Sequence, residues 1–151
     1  MSVYNTKTIK TGYYTVINTD KITNKNKVLF YRSGLEKKFM RICDHSKNIL
    51  KWSYEEVVIP YKKLYQTDNK IHRYIMDFWI KKTVGKKIKQ YLVEIKPYDF
   101  LSPPKPQKRR TRKYVELVEN YSTNVAKWDQ ANKYCIQKGW DFAIITEKDL
   151  D

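Results

Sequence analysis

The pattern of apolar and polar positions divides the chain into stretches of different period. Residues 1–30 hold no sustained period. The stretch 18–27 is made of turn formers and lysines, with Ile22 its one apolar member, so an irregular arm is predicted there. A short extended piece, Val28, Leu29, Phe30 and Tyr31, follows. Ser33 stands three residues before Glu36, the spacing of a capping box, and Leu35, Phe39, Ile42 and Cys43 then recur at helical spacing. A first helix is therefore predicted from Ser33, ending before the polar stretch 44–48.

Three strand-like runs come next. The first, 51–61, carries Trp52, Tyr54, Val57, Val58 and Ile59, with Pro60 at its end or on an edge. Residues 62–69 are polar and turn-like. A second strand is predicted over 70–81 and a third over 89–97. Thr83, Val84, Gly85, Lys86 and Lys87 between them fit a hairpin, which makes these strands antiparallel neighbours. From 97 to 113 the composition shifts to prolines and basic residues, a surface loop leading into a short helix over about 110–120. A further helix is predicted over 123–138, with Val125, Trp128, Ala131 and Cys135 on one side and Gly139 as its stop. The last strand spans 140–146. The order helix, three strands, helix, strand predicts an α/β fold: a mixed sheet covered by helices.

Composition narrows the class. A chain of 151 residues is about one domain, and 41% apolar with 15% aromatic residues argues against disorder. No apolar run approaches the ~20 residues a membrane helix needs, so no membrane is expected. The first 18 residues lack the apolar core of a signal peptide, which predicts an intracellular product. Cys43 and Cys135 are too few for a disulfide scaffold and lack zinc-ligand spacing. With 31 Lys and Arg against 16 Asp and Glu, the net charge is +15. Such a charge suits a polyanionic partner, nucleic acid above all, with a merely solvated lysine-rich surface as the plain alternative.

Candidate chemistry centres on two predicted strands. Asp77 interrupts the apolar run Tyr74, Ile75, Met76, Phe78, Trp79, where strands disfavour Asp and a buried unpaired carboxylate is costly. On the following strand Glu94 and Lys96 share a face by alternation, while Val93 and Ile95 point the other way. If the strands pair as a hairpin, Asp77 joins that face. Two acids and a lysine together suit a hard divalent cation and a phosphate. A salt bridge at the sheet edge accounts for any one of these residues alone. Glu36 is open between two readings: the partner of Ser33 in a helix cap, or a further metal or water ligand. His45 and His72 lack metal-ligand partners at useful spacing, no Gly-rich phosphate loop is present, and neither Ser33 nor Cys43 has an identifiable base with an orienting acid. Lys105, Lys108, Arg109, Arg110, Arg112 and Lys113 form a cluster suited to DNA phosphates.

The ordered set Glu36, Asp77, Glu94 and Lys96 resembles the PD-(D/E)XK nuclease superfamily. Within it, several stretches are similar to the group of transposon-end endonucleases and phage head completion nucleases. They are Tyr31 to Glu36, Tyr54 to Tyr61, Tyr74 to Phe78, Val93 to Pro97, and Ala126 to Trp128 through Phe142 to Glu147. The likeness covers about residues 28–150, which leaves 1–27 as an arm and 28–151 as one nuclease-like domain. Met76 stands where the motif name has Pro, a common departure. The chain stops soon after Glu147, which favours the head completion side over the transposase relative with its extra domain.

The resemblance implies a restriction-endonuclease-like core and a Mg²⁺-dependent DNA endonuclease of the virion or host cytoplasm, with Mn²⁺ able to stand in. Such an enzyme would process packaged DNA ends before tail attachment, beside portal or head–tail connector proteins. Asp77, Glu94, the Ile95 carbonyl and Glu36 would hold the metal, and Lys96 would handle the attacking water or the developing charge. A non-catalytic DNA-binding capsid protein, a transposon-end-type endonuclease and an RNA-processing module are the competing expectations.

Overall fold

The computed structural model describes residues 10–64 and 69–150. The element order is β1 (Gly12–Thr15), β2 (Val28–Tyr31), α1 (Gly34–His45), β3 (Ile49–Tyr54), β4 (Val58–Lys62), β5 (Ile71–Ile75), β6 (Phe78–Val84), β7 (Lys87–Ile95), a 3₁₀ turn (Tyr98–Leu101), α2 (Arg112–Lys138) and β8 (Asp141–Ile145). The central sheet runs β3-β6-β7-β8, antiparallel except for the parallel β7–β8 pair, whose crossover is α2. It is a mixed sheet flanked by helices, as the order of periods predicts. The β6–β7 hairpin forms as expected: Val84 pairs with Lys87 across a two-residue turn, and Gly85 supplies the positive φ of 63° that such a turn requires.

Two predicted strands are each split in two, and the splits face one another. β3 pairs with β6 up to Tyr54 opposite Phe78, and β4 pairs with β5 from Val58 opposite Ile75. Between these pairs Glu55, Glu56 and Val57 lie opposite only Met76 and Asp77, a one-residue excess of the kind that makes a β-bulge. Glu55 takes a left-handed φ of 54°, uncommon for a residue with a Cβ. Backbone bonds bracket the kink: Glu55 N–H donates to Asp77 C=O (3.0 Å) and Met76 N–H to Val57 C=O (2.8 Å). The chain also changes core here. Tyr74 and Met76 pack in one buried cluster, whereas Phe78 and Ile80 pack in the other. All four are apolar at a spacing of two, so the sequence reads as one continuous strand where the fold makes a corner.

The two clusters lie on opposite faces of the sheet. The first joins α1, through Phe39, Met40 and Cys43, to Trp52, Phe78, Ile80, Val93 and Ile95. The second joins α2, through Ala126, Ala131 and Cys135, to Leu92 and to the β4–β5 ribbon residues Ile59, Tyr61 and Tyr74. Both thiols are buried, and burial pushes both upward, Cys43 the further. Pro60 is tolerated because β4 belongs to a two-stranded ribbon with a free side.

Three further expectations need correction. The segment read as an irregular arm contains β1, which pairs antiparallel with β2, and its Tyr14, Val16 and Ile22 belong to the first core. Of that arm, residues 1–9 lie outside the described residues, as do 65–68 of the predicted turn. The helix expected to stop before Asp44 runs through His45, because Asp44 is polar but fully buried. Its carboxylate accepts from Tyr14 OH (2.5 Å), Ile17 N–H (2.9 Å) and Asn18 N–H (2.8 Å). The two helices expected over 110–120 and 123–138 are one helix of 27 residues, since nothing between its ends is Gly or Pro. Thr111 caps its start, accepting from Tyr114 N–H, and Gly139 ends it at φ 72°. Within the helices, Ile42 and Val125 turn outward while Met40 and Ala126 take the buried positions.

Burial pulls the Asp44 carboxyl upward, but the three donors outweigh it and hold the group below the usual range. Its contribution is therefore present above the unfolded-chain value of about 3.9 and is lost as pH falls through the lower folded value. Asp44→Asn leaves at least one buried donor unmatched and should cost about 1–3 kcal/mol. Melting curves of both proteins from neutral to acidic pH should show this deficit at neutrality and its decline in acid.

Candidate active site

The bulge sets Asp77 just before β6, directly across from Glu94 near the end of β7 by continuation of the Phe78–Val93 register. Glu94 shares its strand face with Leu92, the face covered by α2. The two carboxyls are near enough for each other's charge to matter. Burial, then the Glu94 charge, pushes Asp77 well above the usual carboxylate range, against the pull of Ile95 N–H, which donates to Asp77 Oδ2 (2.8 Å). Lys96 Nζ lies 4.0 Å from Glu94 Oε1. The structure thus brings together Asp77, Glu94 and Lys96 on one face, as alternation predicts. Ile95 enters the site through its N–H.

Glu36 stands beside this group from the first core. It acts as a helix cap: its N–H donates to Ser33 Oγ (3.1 Å), and its Oε2 accepts from Arg32 N–H (2.8 Å). A regular capping box would return to the N–H of the cap residue itself. The reach to Arg32, one residue earlier, leaves the carboxylate against Tyr54 OH (2.9 Å) and near enough to Asp77 to raise it. Burial pushes Glu36 itself upward. Capping and membership of the acidic group are thus compatible.

Three site residues escaped the sequence reading. Tyr54 OH donates to Glu36, and Tyr74 OH donates to Glu94 Oε2 (2.7 Å), so each buried glutamate has a phenol partner. Burial and the adjacent acids push both phenols far up, which keeps them as donors. Lys127 of α2 lies over the rings of Tyr74 and Tyr61, with Nζ 5.4 and 5.6 Å from their centroids. A signal for it exists: Lys127, Ala131 and Cys135 recur every four residues, which puts a lysine on the buried stripe of the helix. The cluster of Lys105, Lys108, Arg109, Arg110, Arg112 and Lys113 is exposed along the loop and the first turn of α2. A cleft of about 670 Å³ between that loop and α2 is lined by Tyr98, Phe100, Pro103, Pro104, Leu117 and Tyr121 among others, and includes none of Glu36, Asp77 and Glu94.

Among the described residues no three His, Cys, Asp or Glu side chains converge as a metal-holding group. The paired acids still suit a divalent cation. Their like charges sit close together in a buried position, which a cation relieves, and their donors are hard oxygens. Magnesium characteristically uses one or two carboxylates and keeps several waters. Among the described residues no His or Cys joins Asp77 and Glu94 in a metal-holding group, so zinc's usual nitrogen and sulfur set does not form here.

A pair strained in this way predicts its own test. Because Asp77 is raised, its ionisation destabilises the fold progressively above the unfolded value of about 3.9. Asp77→Asn should therefore melt higher than wild type in metal-free buffer near pH 8, by about 2–4 °C for each kcal/mol relieved. The gain should shrink as pH falls toward 4, read by calorimetry at several pH values.

Comparison with known proteins gives the family. A family described as TnsA-like endonuclease N terminal matches residues 46–147, a span that includes Asp77, Glu94, Lys96 and Lys127, with Glu36 before it. The chain is also 32% identical over 143 residues to the head completion nuclease of Enterobacteria phage T4, covering 92% of each chain. On these two matches, the chain belongs to the family of TnsA-like endonuclease N-terminal domains.

Proposed function

We propose that this protein is a metal-dependent DNA endonuclease that acts on packaged DNA ends during phage head completion. The observation that carries the reading is the convergence of Asp77, Glu94 and Lys96 on one sheet face, inside the family span. The role in head completion is carried over from the relative's name. On this reading the protein is a virion component that meets portal or connector proteins. Among the described residues, no helix is long and apolar enough to cross a membrane.

Asp77, Glu94 and the Ile95 carbonyl would hold Mg²⁺, or Mn²⁺ in its place, with Glu36 adding to the shell or placing a water. The bound ion would supply Lewis-acid polarisation of the phosphate and a more acidic water. Tyr74 holds Glu94 in one rotamer, and Ile95 N–H holds Asp77, so the two acids are positioned before any ligand arrives. Lys96 orients the attacking water or stabilises the charge that develops on phosphorus. In the reaction the water oxygen bonds to phosphorus, one P–O ester bond breaks, and the departing oxygen takes up a proton. The exposed basic cluster of the loop and α2 grips DNA backbone without reading sequence.

Supercoiled plasmid incubated with Mg²⁺ or Mn²⁺ tests the reading. Wild type should nick or linearise it, EDTA and Asp77→Ala should abolish cutting, and Lys96→Ala should lower kcat by about 10²–10³-fold. Binding of DNA without cutting by wild type would overturn the catalytic reading in favour of a structural DNA-binding protein. Neutralising Lys108, Arg109 and Arg110 together should flatten the salt dependence of DNA binding, by about 0.9 in log–log slope for each phosphate no longer neutralised. Anisotropy titrations across a salt series measure that slope.

A further inference from the structure

We propose that Lys127 is a second cation of the active site, binding a backbone phosphate of the DNA from the α2 side while Lys96 approaches from the sheet. This rests on the nuclease reading of the Asp77–Glu94 pair, and extends it to a residue on a different element.

The placement is specific. Ala126 and Ala131 turn α2 into the second core, and Lys127 stands on that inner side, half-buried. Its ammonium is walled by Tyr61 from β4 and Tyr74 from β5. Tyr74 also donates to Glu94, so one ring positions both an acid and a cation. The charges that act on Lys127 are Glu94 and Asp77, which favour its protonated form, and Lys96 and Lys63, which oppose it. Burial opposes it more than any of these. A lysine with only a solvation role has little reason to be held there, because the stem alone can cover apolar surface while the head reaches water.

Ring faces attract an ammonium but do not fill its three directional N–H donors. A phosphate oxygen does. The neighbouring charges point the same way. Lys96 already has Glu94 as its partner at 4.0 Å, whereas Lys127 is set against ring faces. A phosphodiester brings the negative charge that Lys127 can meet, and attack by hydroxide increases that charge on the pentavalent phosphorus.

The test needs no cleavage. Full-length wild type, Lys127→Met and Lys127→Arg are titrated with a short blunt DNA duplex in EDTA across a salt series. Methionine keeps the methylene packing between the rings and removes the charge. The log–log salt slope of Lys127→Met should be smaller than that of wild type by about 0.9, the value for one neutralised phosphate, and Lys127→Arg should restore it. An unchanged slope in Lys127→Met overturns the proposal. If that variant also melts lower, Lys127 is a structural counter-charge for Glu94. With Mn²⁺ added, Lys127→Met should also cut plasmid at least about 10²-fold more slowly, in kcat more than KM. The two readings fail separately. Wild-type cutting with an unchanged Lys127→Met slope removes Lys127 alone. A slope reduced by one phosphate without cutting by wild type keeps Lys127 as a phosphate ligand and removes the nuclease.

Discussion

One extra residue in a β-ribbon organises this molecule. Had Glu55, Glu56 and Val57 been two residues, β3–β4 and β5–β6 would form a continuous hairpin with one buried face. The bulge instead bends the ribbon. The inward side chains of β4 and β5 pack under α2, and those of β3 and β6 pack under α1. Asp77 sits at the change of side, with its backbone fixed by Glu55. The site therefore lies on the seam between two cores. Glu36 reaches it from one core and Glu94 from the other.

That position explains how so many acids tolerate burial. Removing a carboxylate from water is unfavourable unless donors replace the lost hydration. Glu36 has Tyr54 and the Arg32 N–H, Glu94 has Tyr74, and Asp77 has the Ile95 N–H. Each partner comes from an element already anchored in a core, so the acids stay in place without a ligand. What these donors do not offset is the repulsion between Asp77 and Glu94, and burial together with this repulsion holds the Asp77 carboxyl high. Asp44 shows the contrasting case. It has three donors and no competing acid, and its carboxyl is held low.

Legibility in the sequence follows the range of the interaction. Glu94 and Lys96 are readable because alternation along one strand is local, and the hairpin turn at Gly85 places Asp77 opposite them. The corner is not readable. Met76 and Phe78 are both apolar at the spacing of one strand face, and nothing local says that they enter different cores. Asp44 misleads for a related reason, since a polar residue after a helical run looks like a stop until its partners at Tyr14, Ile17 and Asn18 are known. The phenols of Tyr54 and Tyr74 are hidden among 13 tyrosines, most of which could serve as packing. The sequence divides α2 in two at a polar stretch, although no Gly or Pro separates the halves. A polar stretch alone does not interrupt a helix whose backbone bonds can all form.

The clamp at Asp44 bears on where this protein can be cut. The family match begins at residue 46, yet Tyr14, Val16, Ile22, Leu29 and Tyr31 complete the first core together with Trp52 and Phe78. Ile22 even bridges to Trp52 as an added strand neighbour. The matched span is thus smaller than the unit that folds. A fragment trimmed to it would carry the paired acids on a sheet with one face stripped, and insolubility of such a fragment would say nothing about its chemistry.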